Sequence, residues 1–112
     1  MKVPLTVVDH LRRAEQVYGH RTAFIDEPDQ PAESWGTQTY AEMARRARAQ
    51  AAALDKLGVA QGARVAIVSQ NSARLLTSFF GVSAYGRVLA PITFRLSAVV
   101  VGYIVEHCGA EV

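Results

Sequence analysis

Between Arg64 and Ile92 the hydrophobic period changes twice, and no other stretch of the 112 residues restricts the fold as much. Arg64-Val-Ala-Ile-Val-Ser69 is a short β-branched apolar run of the type buried in parallel sheets. Asn71 and Ser72 then offer the side-chain oxygens that begin helices, and Leu75, Leu76, Phe79, Phe80, Val82 and Tyr85 make the next helix apolar nearly all round. Such a helix is expected to be buried. Gly86 breaks it, and Arg87-Val-Leu-Ala-Pro-Ile92 returns as a second strand. Strand, helix and strand in this order predict a β-α-β unit, with parallel strands joined by a right-handed crossover. The fold class is α/β.

Upstream, Thr6-Val-Val-Asp9 is a capping-box variant that opens an amphipathic helix carrying Leu11, Ala14, Val17 and Tyr18, stopped by Gly19. Thr22–Asp26 and Ser34–Tyr40 are β-prone runs separated by Pro28 and Pro31, which bar regular pairing between them. They predict a hairpin with a loose loop. Thr39-Tyr-Ala-Glu42 is a full capping box, and Met43, Ala47, Ala51, Leu54 and Leu57 mark one face of the long helix behind it. Glu42 and Arg46 are spaced as an i, i+4 ion pair on its wet side. Gly58 suits a left-handed C-cap, with Val59 placed for the accompanying apolar contact.

Downstream, Val99-Val100-Val101 and Ile104-Val105 favour strand on propensity. Ser97 as N-cap, Val100 with Ile104 one turn apart, and Gly109 as terminator favour helix, and these caps tip residues 96–108 to helix. Ala110-Glu111-Val112 begins another strand.

The length suits one domain, 1–112, and 50% hydrophobic with 20% charged residues is ordinary for a globular chain. The net charge is only +2 and the arginines are interleaved with acids, so no basic stripe marks a nucleic-acid binder. Arg45, Arg46 and Arg48 read as a solvated helix face. The apolar run after Met1 and Lys2 is cut at Asp9 and His10, too early for a secretory leader, and Arg74, Arg87 and Arg95 interrupt the most apolar stretch, leaving no membrane span. The one cysteine, Cys108, permits no internal disulfide, and a cytoplasmic chain is expected.

Candidate sites are few. His10, His20 and His107 lack ligand-spaced neighbours, so no metal is expected. Ser69, Ser72 and Ser78 lack the flanking glycines of a nucleophile elbow. Gly81–Arg87 approaches a phosphate loop but ends in arginine and closes a helix where such a loop opens one. Asn71 and Ser72 cap a helix at the carboxyl end of a parallel strand, where α/β folds bind anions. They are the possible anion-binding caps.

Four landmarks occur in one order: Thr39-Tyr40-Ala41-Glu42-Met43; Val65 to Ser72; Gly81-Val-Ser-Ala-Tyr-Gly-Arg-Val-Leu-Ala-Pro91; and Arg95-Leu96 leading to Tyr103-Ile-Val-Glu-His-Cys-Gly-Ala110. Together they resemble the N-terminal part of the adenylate-forming superfamily, the AMP-forming acyl-CoA ligases with their luciferase and peptide-synthetase relatives, over Leu5 to Val112. Thr39–Met43 is similar to its first core motif and Ala84–Thr93 to its second.

The resemblance implies a large N-terminal domain, of which residues 1–112 form part. It also implies a two-step activity using ATP, Mg2+ and CoA: a carboxylic acid, a fatty acid being the expectation, becomes an acyl-adenylate and then an acyl-CoA. The phosphate-cradling loop and the catalytic lysine of that family lie downstream of the matched region, so the segment alone is expected to be inactive, with no catalytic residue. Arg95 matches a family arginine that contacts a phosphate of the CoA nucleotide, although Thr93 and Phe94 depart from the usual neighbours. The expected partners are a second copy or the remainder of the enzyme. A second reading is an autonomous, non-catalytic α/β binding or oligomerisation module, and a third, resting on Arg45 to Arg48, is a nucleic-acid binder.

Overall fold

The structure is a computed structural model that describes residues 5–112; residues 1–4, and with them the start of the run weighed against a secretory leader, lie outside the described residues. Helix α1 (Val7–Tyr18) begins at Thr6, whose backbone N–H and hydroxyl both donate to the Asp9 carboxylate, at 2.9 and 2.8 Å. Those two bonds hold the Asp9 carboxyl below the usual range. Of the expected apolar face only Leu11 is buried. Strands β1 (Thr22–Ile25) and β2 (Thr37–Thr39) form the expected antiparallel hairpin. Both are shorter than the β-prone runs, because Asp26, Ser34 and Trp35 turn to bonds within the connecting loop.

Helix α2 (Tyr40–Lys56) has the predicted capping box: the Thr39 N–H donates to Glu42 at 2.7 Å, and the Glu42 N–H to the Thr39 hydroxyl at 3.2 Å. Met43, Ala44, Ala47, Ala51 and Leu54 are buried. Leu57, expected among them, is 68% exposed. The helix ends there in a Schellman turn, with Gly58 at φ 76°, its N–H on Asp55 O and the Val59 N–H on Leu54 O. Val59 takes the core position beside Leu54 instead. The Glu42–Arg46 pair does not form, since the Glu42 carboxylate serves the cap while Arg46 Nε donates to Gln38 at 3.0 Å. The solvated arginine face needs the same correction. Arg48 makes a bidentate bridge to Glu15 of α1, and Arg46 lies 4.1 Å from the Trp35 ring centroid.

Strands β3 (Arg64–Ser69) and β4 (Val88–Thr93) are parallel and in register from Arg64 opposite Val88 to Ser69 opposite Thr93. Helix α3 (Ala73–Ser83) joins them. It is not buried all round: Ala73, Thr77, Ser78, Gly81 and Val82 are inside, while Leu76 and Phe79 are exposed. The reason is the neighbour. Helix α2 presents alanines and Gln50, and the approach is so close that a β-carbon at Gly81 would collide with the Gln50 side chain. Small residues therefore take the contact and the bulky ones face out. A second core cluster of Leu54, Val59, Val65 and Val82 ties both helices to the sheet. Arg87 is buried beside it, donating to Val59 O and to Asp55 and so closing the end of α2 from another strand.

Helix α4 (Ala98–Cys108) is helix, not strand, with Ser97 Oγ accepting from the Val100 N–H and Gly109 as C-cap. None of its residues is buried. The strand expected at Ala110 begins alongside β3: the Glu111 N–H donates to Arg64 O at 2.9 Å and the Ala66 N–H to Val112 O at 2.8 Å. That places β3 between β4 and the 110–112 segment.

Candidate functional site

Parallel strands end together at Ser69 and Thr93, and the chain leaves them in different directions, so an opening forms where they part. A cavity of about 380 Å³ occupies it, lined by Ser69, Gln70 and Asn71 from one strand end and by Thr93, Phe94 and Arg95 from the other, with Leu75 of α3 as an apolar wall. The structure thus brings together Asn71 and Arg95, far apart in sequence. Ser72 lines a neighbouring groove with Asn71, Leu76 and Phe79.

Local bonds explain the shape. Ser69 Oγ donates to Gln70 O at 2.7 Å and sits 3.4 Å from Ser72 Oγ, pulling the strand end onto the cap. Ser72 Oγ accepts from the Leu75 N–H at 3.3 Å. The next open donor of α3, the Ala73 N–H, is taken at 2.9 Å by the carboxylate of Asp26, which arrives from the end of β1. Asp26 also accepts from the Trp35 N–H and the Gln30 amide. Burial works to raise its pKa, yet the donors from Trp35, Ala73 and Gln30 and the nearby Arg74 charge outweigh it and hold the carboxyl below the usual range. The helix terminus therefore carries an anion of its own, and sequence reasoning missed it. The signal was weak: Asp26 closes a β-prone run just before a Pro-rich loop.

Arg95 is exposed, with its guanidinium 5.8 Å from the Phe94 ring centroid and its N–H on Thr93 Oγ1 at 3.4 Å. No carboxylate among the described residues pairs with it. The cavity is thus a mixed surface with one free guanidinium at its rim. Gln70, Thr93 and Phe94 were not singled out from sequence, though their places just beyond two parallel strands could have marked them. Among the described residues no group of three His, Cys, Asp or Glu could hold a metal, and no helix is long and apolar enough to cross a membrane.

Comparisons with known proteins converge on one family. A 4-hydroxybutyrate–CoA ligase of Metallosphaera sedula is 33% identical over 107 residues, covering 96% of this chain and 18% of the relative. A long-chain-fatty-acid–CoA ligase, FadD13, of Mycobacterium tuberculosis is 39% identical over 74 residues, covering 66% of this chain and 15% of the relative. The inhibitor-bound N-terminal domain of FACL13 from Mycobacterium tuberculosis superposes with a TM-score of 0.80 at 33% identity, over 96% of this chain and 26% of that one. The chain spans less than a fifth of the length of those two curated relatives. The family model for AMP-binding enzymes matches residues 11–112, and the chain belongs to that family.

Proposed function

We propose that this chain serves as the opening segment of an ATP-dependent, AMP-forming acyl-CoA ligase of the cytoplasm that acts on a fatty acid. The observation that carries the reading is the meeting of Arg95 and Asn71 in one cavity at the ends of two parallel strands, within a chain of the AMP-binding enzyme family. In the overall reaction a carboxylate oxygen attacks the α-phosphorus of ATP, forming acyl-adenylate and releasing pyrophosphate. The thiolate of CoA then attacks the acyl carbon and AMP leaves. Mg2+ would offset the charge on the ATP phosphates, and no residue of this segment is assigned to it.

The segment's own part is to hold one end of the CoA nucleotide. Arg95 suits that role, being exposed, free of acidic partners and fork-shaped, so that it can meet two phosphate oxygens at once. Phe94 beneath the guanidinium limits its rotamers, and Asn71 faces it with an amide donor. The rest of the segment is scaffold, and catalysis belongs to residues elsewhere in the enzyme. Lone Cys108 suits a reducing compartment.

Given ATP, Mg2+, CoA and palmitate, the 112-residue chain should release no AMP, whereas the enzyme that contains it should yield AMP and palmitoyl-CoA. In that enzyme Arg95→Ala should raise the KM for CoA while leaving palmitate-dependent ATP–pyrophosphate exchange unchanged. ADP as product, or no AMP with any of a panel of carboxylic acids, would refute the ligase reading.

One observation favours self-association of the chain by itself. Leu76 and Phe79 of α3 and Val99, Val100 and Tyr103 of α4 are exposed large apolar side chains, more than a monomer ordinarily leaves to water. Light scattering should find a species heavier than 12.2 kDa.

A further inference from the structure

A second cavity, of about 360 Å³, lies between α2, α3 and β3 and shares no lining residue with the strand-end cavity. Trp35 and Ile67 give it apolar walls. Arg46 and Arg74 both line it, each over the indole of Trp35, at 4.1 and 4.9 Å from the ring centroid. Each guanidinium is anchored by one bond, Arg46 Nε to Gln38 Oε1 at 3.0 Å and Arg74 Nη1 to Glu33 O at 2.6 Å. Neither has a carboxylate within ion-pair distance among the described residues. The acids nearest in effect are Glu42 beside Arg46 and Asp26 beside Arg74, and both are engaged in cap bonds.

The same cavity holds two buried oxygens without a hydrogen-bond partner, Thr77 Oγ1 and Gln50 Oε1. Thr77 is only 2% exposed. The other polar groups there are matched: the Gln50 amide donates to Ser78 Oγ at 2.9 Å, and Ser78 Oγ donates to Arg74 O at 2.8 Å. A buried polar atom left unpaired costs about 1–3 kcal/mol, so two in one cavity point to an occupant that pairs with both. Gln50 Oε1 can only accept, while the Thr77 hydroxyl can donate. One hydroxyl group, donating to Gln50 and accepting from Thr77, satisfies both. Two anchored guanidiniums with free N–H groups beside it call for an anion of planar, forked shape, which is a carboxylate.

We propose that this cavity binds a small hydroxylated carboxylate, with its carboxylate on Arg46 and Arg74 and its hydroxyl between Thr77 Oγ1 and Gln50 Oε1. The site stands apart from the CoA-nucleotide reading and does not depend on it. Trp35 is the only tryptophan of the chain, so its fluorescence reports on this cavity directly.

The test titrates the purified chain with malate, with succinate, which lacks the hydroxyl, and with sulfate. Malate should give a saturable change in Trp35 emission, and succinate should bind about 10-fold more weakly, the worth of roughly one buried hydroxyl pairing. Thr77→Val should bring malate down to the succinate level without affecting succinate, and Thr77→Ser should keep malate binding. Thr77→Val also removes an unpaired buried hydroxyl and so should fold at least as stably. Equal binding of malate and succinate, no effect of Thr77→Val on malate, sulfate binding as tight as malate, or no saturable response would each overturn the proposal.

Discussion

Helices α2 and α4 invert the usual link between composition and burial. α4 (Ala98–Cys108) is almost wholly apolar and buries nothing, whereas α2 (Tyr40–Lys56) carries three arginines, a lysine and two acids and buries five residues. Apolar content is a capacity for burial, and the neighbouring elements decide whether it is realised. α2 is enclosed by α1, the hairpin and α3, and its polar residues have become fasteners: Arg48 to Glu15, Arg46 to Gln38, Asp55 to Arg87. α4 rests on its caps and on the short pairing that follows Gly109. An isolated helix below about 12–15 residues is marginal in water, so the two helices should differ sharply in local stability.

The largest expected effect that would sharpen this contrast is in the α2 core. Leu54→Ala should cost about 2–5 kcal/mol in denaturant unfolding, since it empties the junction of α2, β3 and α3. Next is the Asp26 tie. Asp26→Ala leaves the buried Ala73 N–H without its acceptor and should cost about 1–3 kcal/mol. Because the folded carboxyl titrates below its unfolded value, the stability it contributes is present above the unfolded pKa of about 3.9 and is lost as pH falls through the folded one. The acid limb of a stability–pH curve should therefore flatten in Asp26→Asn.

Thr39→Ala should cost about 0.5–2 kcal/mol by removing the α2 cap. Ser97→Ala removes the equivalent cap of α4. It should speed amide exchange across Ala98–Cys108 while leaving the global unfolding midpoint unmoved. Smallest of all, Val99→Asp at an 83% exposed position should change global stability by less than about 0.5 kcal/mol. It should still weaken self-association. A cost at Val99 comparable with that at Leu54 would break the comparison, because α4 would then be packed in solution.

What could be read from the sequence was local. Both capping boxes, the Gly58 turn, the β-α-β order and the Ser97 and Gly109 ends of α4 each rest on residues a few positions apart, where chemistry dictates geometry directly. The outward turn of Leu76 and Phe79 was not legible, because it depends on how closely α2 approaches Gly81. Asp26 on the α3 terminus, Arg87 on the end of α2 and the Arg46–Trp35–Arg74 group were hidden for the same reason. Each is a meeting of segments distant in sequence, with no periodic pattern to announce it. At the strand-end cavity, Asn71 and Arg95 were legible one at a time and their proximity was not.

The pairing of Glu111 and Val112 with β3 also sets a timetable. A chain made from its N-terminus reaches β3 early, and β4 arrives to cover one edge, while the other edge stays unpaired until residues 110–112 have been added. During that interval β3 presents bare amides and carbonyls to any extended chain nearby. The last few residues described thus serve as a latch, and deleting them should raise aggregation during synthesis more than it lowers the equilibrium stability of the finished fold.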